Sequence, residues 1–205
     1  MIDYKIYKLF LCYFLIICFG CESKLPKEDL LIHRFENEFY NSNEDNLQLL
    51  INKYPYLFPN QFPTENWKSF LKDSTRLNVF RESSKVFNDF STTNKEISKV
   101  FIKFKEIFPE FIYPKVITLN SQSEYENRII YADSLLLISL DSYLGRNFYP
   151  DLPDYISSVM TKEYILNDIA EKISKNFMQK SSDRTLVGEM IYLSLIHISE
   201  PTRPY

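Results

Sequence analysis

Cysteine is scarce: its three copies, Cys12, Cys18 and Cys21, all lie in the first 21 residues of the 205-residue chain. No disulfide can tie the remaining sequence together, and no thiol nucleophile or thiolate ligand is available there. Histidine is scarcer. His33 and His197 stand far apart, so an HExxH zinc motif, which sets two histidines one helical turn apart, cannot be assembled. The three glycines, Gly20, Gly145 and Gly188, are too dispersed for a phosphate-cradling loop, where clustered glycines let backbone amides reach the phosphates. His33 could serve a serine nucleophile, yet no serine sits in a GxSxG elbow, and an ordinary packing or surface role is the simpler reading. Positive charge is not in excess either. With 24 Lys and Arg against 27 Asp and Glu the net charge is -3, which leaves no footprint for nucleic acid or anionic lipid.

Long apolar runs are also missing. The stretch from Leu9 to Phe19 is too short for the ~20 residues that span a bilayer. It follows Lys5 and Lys8 and precedes Gly20, the small residue a signal peptidase needs. The ending CFGC, Cys18 to Cys21, resembles a bacterial lipobox in which Cys18 takes the usual leucine position. That resemblance implies a signal peptide over residues 1–20, a lipid on Cys21 and a membrane anchor through that lipid. Residues 21–29 then form a polar tether. An uncleaved N-terminal anchor is the alternative, disfavoured because polar residues begin at once with Glu22 and Ser23. Cleavage would remove Asp3, Lys5 and Lys8 and take the net charge to -4. Lys27, Glu28 and Asp29 are similar to the acidic signals that display some lipoproteins on the cell surface, but they stand several residues beyond Cys21. A domain facing the periplasm is therefore preferred to surface display.

At the other end, LSLIHISEPTR from Leu193 to Arg203 is similar to the translation of an adapter used in transposase-based DNA library preparation. Residues 193–205 are accordingly set aside from fold reasoning, which removes His197 as well.

What the chain does have is apolar and aromatic content, 45% hydrophobic and 16% aromatic, enough to bury a core. One domain of ~160 residues is the length expectation. Two alanines against many Asn, Lys, Ile, Tyr and Phe suggest an AT-rich source. Periodicity predicts helices first. Leu30 to Tyr40 fits helix or strand equally. Asn43 to Lys53 reads as a helix capped by Asn43 and ended by Pro55. YPYLFPNQFP is punctuated by Pro55, Pro59 and Pro63, so it reads as an irregular connection with inward aromatics. Thr64 is expected to cap a short helix through Trp67 and Leu71. Two amphipathic helices follow, with stripes Leu77, Phe80, Ser84, Phe87 and Ile97, Val100, Phe101, Phe104, Ile107. Both stripes read as core.

After Pro114 the pattern changes. Val116 to Leu119 and Arg128 to Tyr131 are short β-rich runs, and Leu135 to Leu140 is apolar throughout, as in a strand buried on both faces. Helical spacing returns over Tyr155 to Met160 and Lys162 to Phe177, with Tyr164, Ile165, Ile169, Ile173 and Phe177 on one side. Asp183 to Tyr192 begins another helix. The fold class is α+β, mostly helical with a small central sheet.

RFENEFY (Arg34 to Tyr40), KYPYLFP (Lys53 to Pro59), PKVITLNSQSEYENRIIYADSLLLISLDSYLG (Pro114 to Gly145), FYPDLPDYI (Phe148 to Ile156) and DRTLVGEMIY (Asp183 to Tyr192) resemble the gliding-motility lipoprotein family GldB of the Bacteroidota. The resemblance makes residues 30–192 a GldB-like domain, incomplete at its C-terminus. It implies a role in gliding motility and the associated type IX protein secretion, with envelope proteins of that machinery as partners. No catalytic, cofactor-binding or metal-ligating residue carries over, so Cys21 alone receives a chemical role. The order of helices, sheet and long helix is also similar to a degenerate zincin metallopeptidase architecture. Lys162 to Phe177 would then take the place of the metal-binding helix, without a histidine; its polar residues Asn167, Asp168 and Glu171 read as a solvated face. Arg128 and Asp133 are expected to pair across the sheet edge, with Asp141 nearby. Two function classes remain: a non-enzymatic docking lipoprotein, and a periplasmic hydrolase of unknown substrate that uses carboxylates and serines. A cleft lined by carboxylates of shifted pKa favours the second, and exposed apolar surface the first.

Overall fold

The computed structural model describes residues 30–122, 125–132 and 134–178. The expected signal peptide, Cys21, the expected tether with Lys27 to Asp29, Asp133, the helix expected from Asp183 and the adapter-like tail lie outside them.

The undecided segment from Leu30 to Tyr40 is both elements in succession. β1 (Ile32–Arg34) runs directly into α1 (Phe35–Tyr40). α2 (Leu47–Lys53) starts after a turn in which Asn43 Oδ1 accepts the Asn46 N–H at 2.9 Å, so Asn43 caps the turn before the helix. A single 3-10 turn (Pro55–Leu57) interrupts the proline-rich connection. Its aromatics divide: Tyr54 and Phe58 are buried, whereas Tyr56 is exposed. α3 (Thr64–Lys72) corrects the capping expectation. Pro63 occupies the cap position, and Thr64 is already in the first helical turn, where its hydroxyl makes no cap bond. α4 (Ser74–Val86) has the cap that α3 lacks, because Asp73 accepts the Arg76 N–H at 2.8 Å. α5 (Ser91–Ile107) buries Ile97, Phe101 and Phe104 but leaves Ile107 exposed at its last turn.

β2 (Lys115–Leu119), β3 (Ile129–Ala132) and β4 (Leu135–Ser139) complete a four-stranded sheet in the order β1-β2-β4-β3. β1, β2 and β4 are parallel, with Ile32 opposite Val116 and Val116 opposite Leu136. β3 returns antiparallel on β4, Ile129 opposite Ile138. Successive side chains point to opposite faces of the sheet, and both faces are covered. Val116, Leu136, Ile138 and Ile129 join the α5 stripe and the Ile165, Ile169, Ile173 stripe of α7 (Ile165–Met178) in one core. Ile117, Leu119, Leu135 and Leu137 meet Phe35, Phe39, Leu47, Leu50, Tyr54 and Phe58 in the other. The continuous apolar run of β4 follows from this two-sided burial, as expected for a parallel central strand. Each fully buried Ile or Leu contributes about 1.5–3 kcal/mol relative to exposure.

Beyond β4 a 3-10 turn (Leu140–Tyr143) leads to Gly145, whose φ of +93° suits a residue without Cβ. The helix expected over Tyr155 to Met160 contracts to α6 (Asp154–Ser157), and a 3-10 turn (Lys162–Tyr164) precedes α7. Tyr155 is exposed, while Ile156 and Met160 stay buried although the helix does not continue past Ser157.

Candidate functional site

Among the described residues three polar clusters stand out, and two of them are structural. In the first, Glu36 is buried where β1 meets α1; it accepts a hydrogen bond from Thr118 Oγ1 of β2 at 2.7 Å and pairs with Arg34. Arg34 also donates to the Phe87 carbonyl at 3.2 Å and lies over the Phe90 ring. On the neighbouring side Glu38 accepts from the Tyr54 hydroxyl at 2.7 Å and from Lys53 Nζ at 2.6 Å. The segments RFENEFY and KYPYLFP thus touch through these charges. His33 joins here, its Nδ1 3.5 Å from the Tyr54 hydroxyl and its ring edge-on to that of Tyr54. Partial burial and the nearby Lys115 and Lys53 hold its pKa below the usual value, against the pull of Glu38. Burial raises Tyr54 to about 12, helped by Glu38. Burial would also raise Glu38, but hydrogen bonds from Lys53 and Tyr54 outweigh it and leave the carboxyl below its ordinary range.

The second cluster corrects two expectations. Arg128 pairs not across the sheet edge but with Asp168 of α7, through Nε and Nη2 at 2.6 and 2.8 Å. Tyr143, fully buried, donates to the same Asp168 carboxylate at 2.6 Å. Asp168 therefore does not belong to a solvated face: its side chain is 10% exposed. The physical reason is that α7 packs on β3, which brings the helix carboxylate over the start of that strand. Glu171 does lie towards solvent, paired with Lys175 one turn on.

The third cluster borders a cavity of about 550 Å³. It opens where the parallel strands β2 and β4 end, lined by Gln122 beyond β2 and by Asp141 and Ser142 beyond β4. Ligands of open parallel sheets collect outside the carboxyl ends of the strands, because the loops that leave there diverge. Asp141 forms the floor. Its two oxygens accept the backbone N–H groups of Ser121 at 3.1 Å and Gln122 at 2.7 Å, and Gln122 adopts a φ of +50° in that grip. Burial pushes the Asp141 carboxyl above its ordinary pKa despite these donors. Tyr125, Phe148 and Tyr149 supply aromatic walls, with Glu126 and Asp151 as further carboxylates. Burial, with the charge of Asp141, raises the Tyr149 phenol. Asp141 was legible as a charge beside the apolar strand; nothing in the sequence showed that the remaining lining residues share a cavity with it.

The comparisons with known proteins bear on what this domain is. The sequence profile of the family described as gliding motility protein GldB matches residues 22–198. The chain belongs to the GldB family. The matched range takes in all the described residues and closes inside the adapter-like tail. It contains all five segments on which the resemblance rested. No curated protein and no solved structure matches this GldB-family chain significantly. The zincin comparison accordingly gains no structural relative. Among the described residues no three His, Cys, Asp or Glu side chains gather to hold a metal ion. No described helix is long and apolar enough to cross a membrane.

Proposed function

We propose that this GldB-family protein is an envelope lipoprotein, anchored through a lipid on Cys21 and facing the periplasm, that supports gliding motility and the associated type IX protein secretion by docking to other envelope proteins. The observation that carries the reading is the family match across residues 22–198. The surface adds to it. Leu31 and Ile112, which precede the neighbouring parallel strands β1 and β2, are 71% and 69% exposed. Apolar side chains of this size gain by being covered.

A hydrolase draws support from one observation, the buried Asp141 with its raised pKa in a cavity. Both of its oxygens, however, already accept backbone N–H bonds, which suits a carboxylate that positions a loop better than one that takes a proton from substrate. Docking is therefore the stronger reading. Deleting the gene should impair colony spreading and secretion, and the tagged protein purified from membranes should bring motility or secretion proteins with it. A strain that spreads and secretes normally, with no such proteins recovered, would leave only family membership standing.

A further inference from the structure

We propose that the end of the domain from which β1 and β2 start lies on the bilayer that holds the Cys21 lipid, with Leu31, Ile107 and Ile112 entering its interface. The proposal rests on the lipid-anchor part of the reading above and says what covers Leu31 and Ile112. Docking to proteins keeps the family match that carries it and falls to the rest of the surface.

Exposed apolar side chains are concentrated at this end. Of the eight large hydrophobic side chains exposed among the described residues, five belong to it: Leu31, Tyr56, Ile107, Ile112 and Tyr113. Leu31 stands just ahead of β1, and Ile112 and Tyr113 just ahead of β2, its parallel neighbour. Lys105 Nζ donates to the carbonyls of Pro109 at 2.6 Å and Phe111 at 2.8 Å, which holds the last turn of α5, with Ile107, to the segment that enters β2. Tyr56 joins through its hydroxyl, which accepts from Nζ of Lys115, the first residue of β2, at 2.9 Å. The other three, Leu49, Ile130 and Tyr155, are on α2, β3 and α6.

The tether decides what covers this end. Leu31 comes ten positions after Cys21. Even fully extended, ten residues span ~35 Å, while a domain of this size is ~40 Å across. The start of β1 is therefore held within one domain diameter of the lipid. A link this short gives a local concentration on the order of mM, so a few side chains suffice to keep the domain down. The residue types fit the place. Tyrosine rings sit at the headgroup level of a bilayer, and a lysine buries its stem while its ammonium stays in water. Attraction to anionic lipid is not what this end offers, since Glu110 stands in the connection between α5 and β2 and the net charge is -3. The cavity carboxylates Glu126, Asp141 and Asp151 lie beyond the opposite ends of β2 and β4, so this orientation turns them away from the bilayer.

Site-directed fluorescence tests this. Cys21 is consumed by its lipid and the other cysteines precede it, so an introduced cysteine is the only free thiol of the mature chain. Ile112→Cys and Tyr155→Cys, at positions 69% and 76% exposed, carry an environment-sensitive fluorophore at the strand-start end and near Tyr125 of the cavity. In the lipidated full chain on phosphatidylcholine vesicles, nitroxide-labelled lipid should quench the fluorophore at position 112 and spare the one at position 155. Adding Leu31→Asn and Ile107→Asn, both at exposed positions, should leave the unfolding midpoint in place and lower the ratio of docked to undocked domain by roughly tenfold. Equal quenching at the two positions, no quenching at position 112, or a ratio unchanged by the asparagines would overturn the assignment. So would a response at position 112 that needs added membrane proteins, which would give this face to a protein partner. Fatty-acid labelling of the same samples keeps the two claims apart: labelled chain without quenching sinks this inference alone, whereas unlabelled chain sinks the anchor on which it rests.

Discussion

Arg128, Asp168 and Tyr143 lock α7 to the sheet, and their removal has a calculable cost. The carboxylate of Asp168 accepts two bonds from Arg128, at 2.6 and 2.8 Å, and one from Tyr143 at 2.6 Å. The Arg128 and Asp168 side chains are 18% and 10% exposed, so water replaces little of what is lost when one partner is removed. Arg128→Met leaves a largely buried carboxylate with the tyrosine hydroxyl alone; Asp168→Leu leaves a largely buried guanidinium and an unpaired phenol. Breaking a buried pair from one side costs ~3–5 kcal/mol, and the slight exposure here places each single variant near the lower end, about 3 kcal/mol. For a domain of this size that lowers the melting temperature by roughly 6–12 °C. The double variant should recover part of the loss, because an apolar pair of similar volume needs no desolvation of charge, while the buried Tyr143 hydroxyl stays unpaired at a cost of about 1–3 kcal/mol. Urea denaturation followed by circular dichroism on the four chains of this cycle measures the coupling. Single variants within about 1 kcal/mol of the parent, or strictly additive losses in the double variant, would refute the argument that the pair matters through burial.

Five further outcomes follow from other sites. Ile169→Ala, at a fully buried position facing the sheet, should cost about 2–5 kcal/mol in the same urea assay. Gly145→Ala meets nothing within 4 Å of the new Cβ, so its loss of about 1–3 kcal/mol should come from the φ of +93° alone, and a crystal structure should show no displaced neighbour. Tyr54 titrates near 12 in the folded chain against 10 unfolded, so the stability it contributes is present below pH 10 and is lost as pH rises towards 12. The gap in stability between the parent and Tyr54→Phe should therefore narrow above pH 10. His33 runs the other way: with its folded pKa below 6.5, its contribution is present above that pH and fades on acidification, and His33→Gln should flatten that part of the profile. Finally, Cys21→Ala should abolish incorporation of a fatty-acid analogue without changing the fold; equal labelling of the variant would end the lipoprotein reading.

Much of the architecture was legible because it rests on period. The stripes Ile97, Phe101, Phe104 and Ile165, Ile169, Ile173 repeat at helical steps and do face the core, and the run in β4 announced a strand covered on both sides. What period could not resolve was the change of element inside Leu30 to Tyr40, where three residues of strand abut six of helix and neither completes a repeat. Local capping chemistry misled at Thr64, since Pro63 already supplies an extended cap geometry with φ of -58° and ψ of 143°. At Tyr155 to Met160 the burial of Ile156 and Met160 was legible from their spacing, but the length of the helix was not.

The polar clusters were hidden for a different reason, which is distance along the chain. Asp168 looked like one more charge on an amphipathic helix, because nothing near it in sequence shows that Arg128, forty positions earlier, will lie beneath it. The cavity is an extreme case. Val79 comes from α4, Gln122 and Glu126 from the connection after β2, Asp141 and Ser142 from the turn after β4, Phe148 to Leu152 from the loop beyond Gly145, and Met160 from the approach to α7. No two of these groups form a spaced motif, since each is placed by a different element and only the parallel pairing of β2 with β4 brings their following loops to one end. Register decides the matter in a strict way. A one-residue slip of β4 along β2 would turn Leu137 out of one core and into the other, so the same apolar alternation that fixes the sheet also fixes where the Asp141 carboxylate meets the amides of Ser121 and Gln122. The site is thus specified by the sequence through its core, not through its own residues.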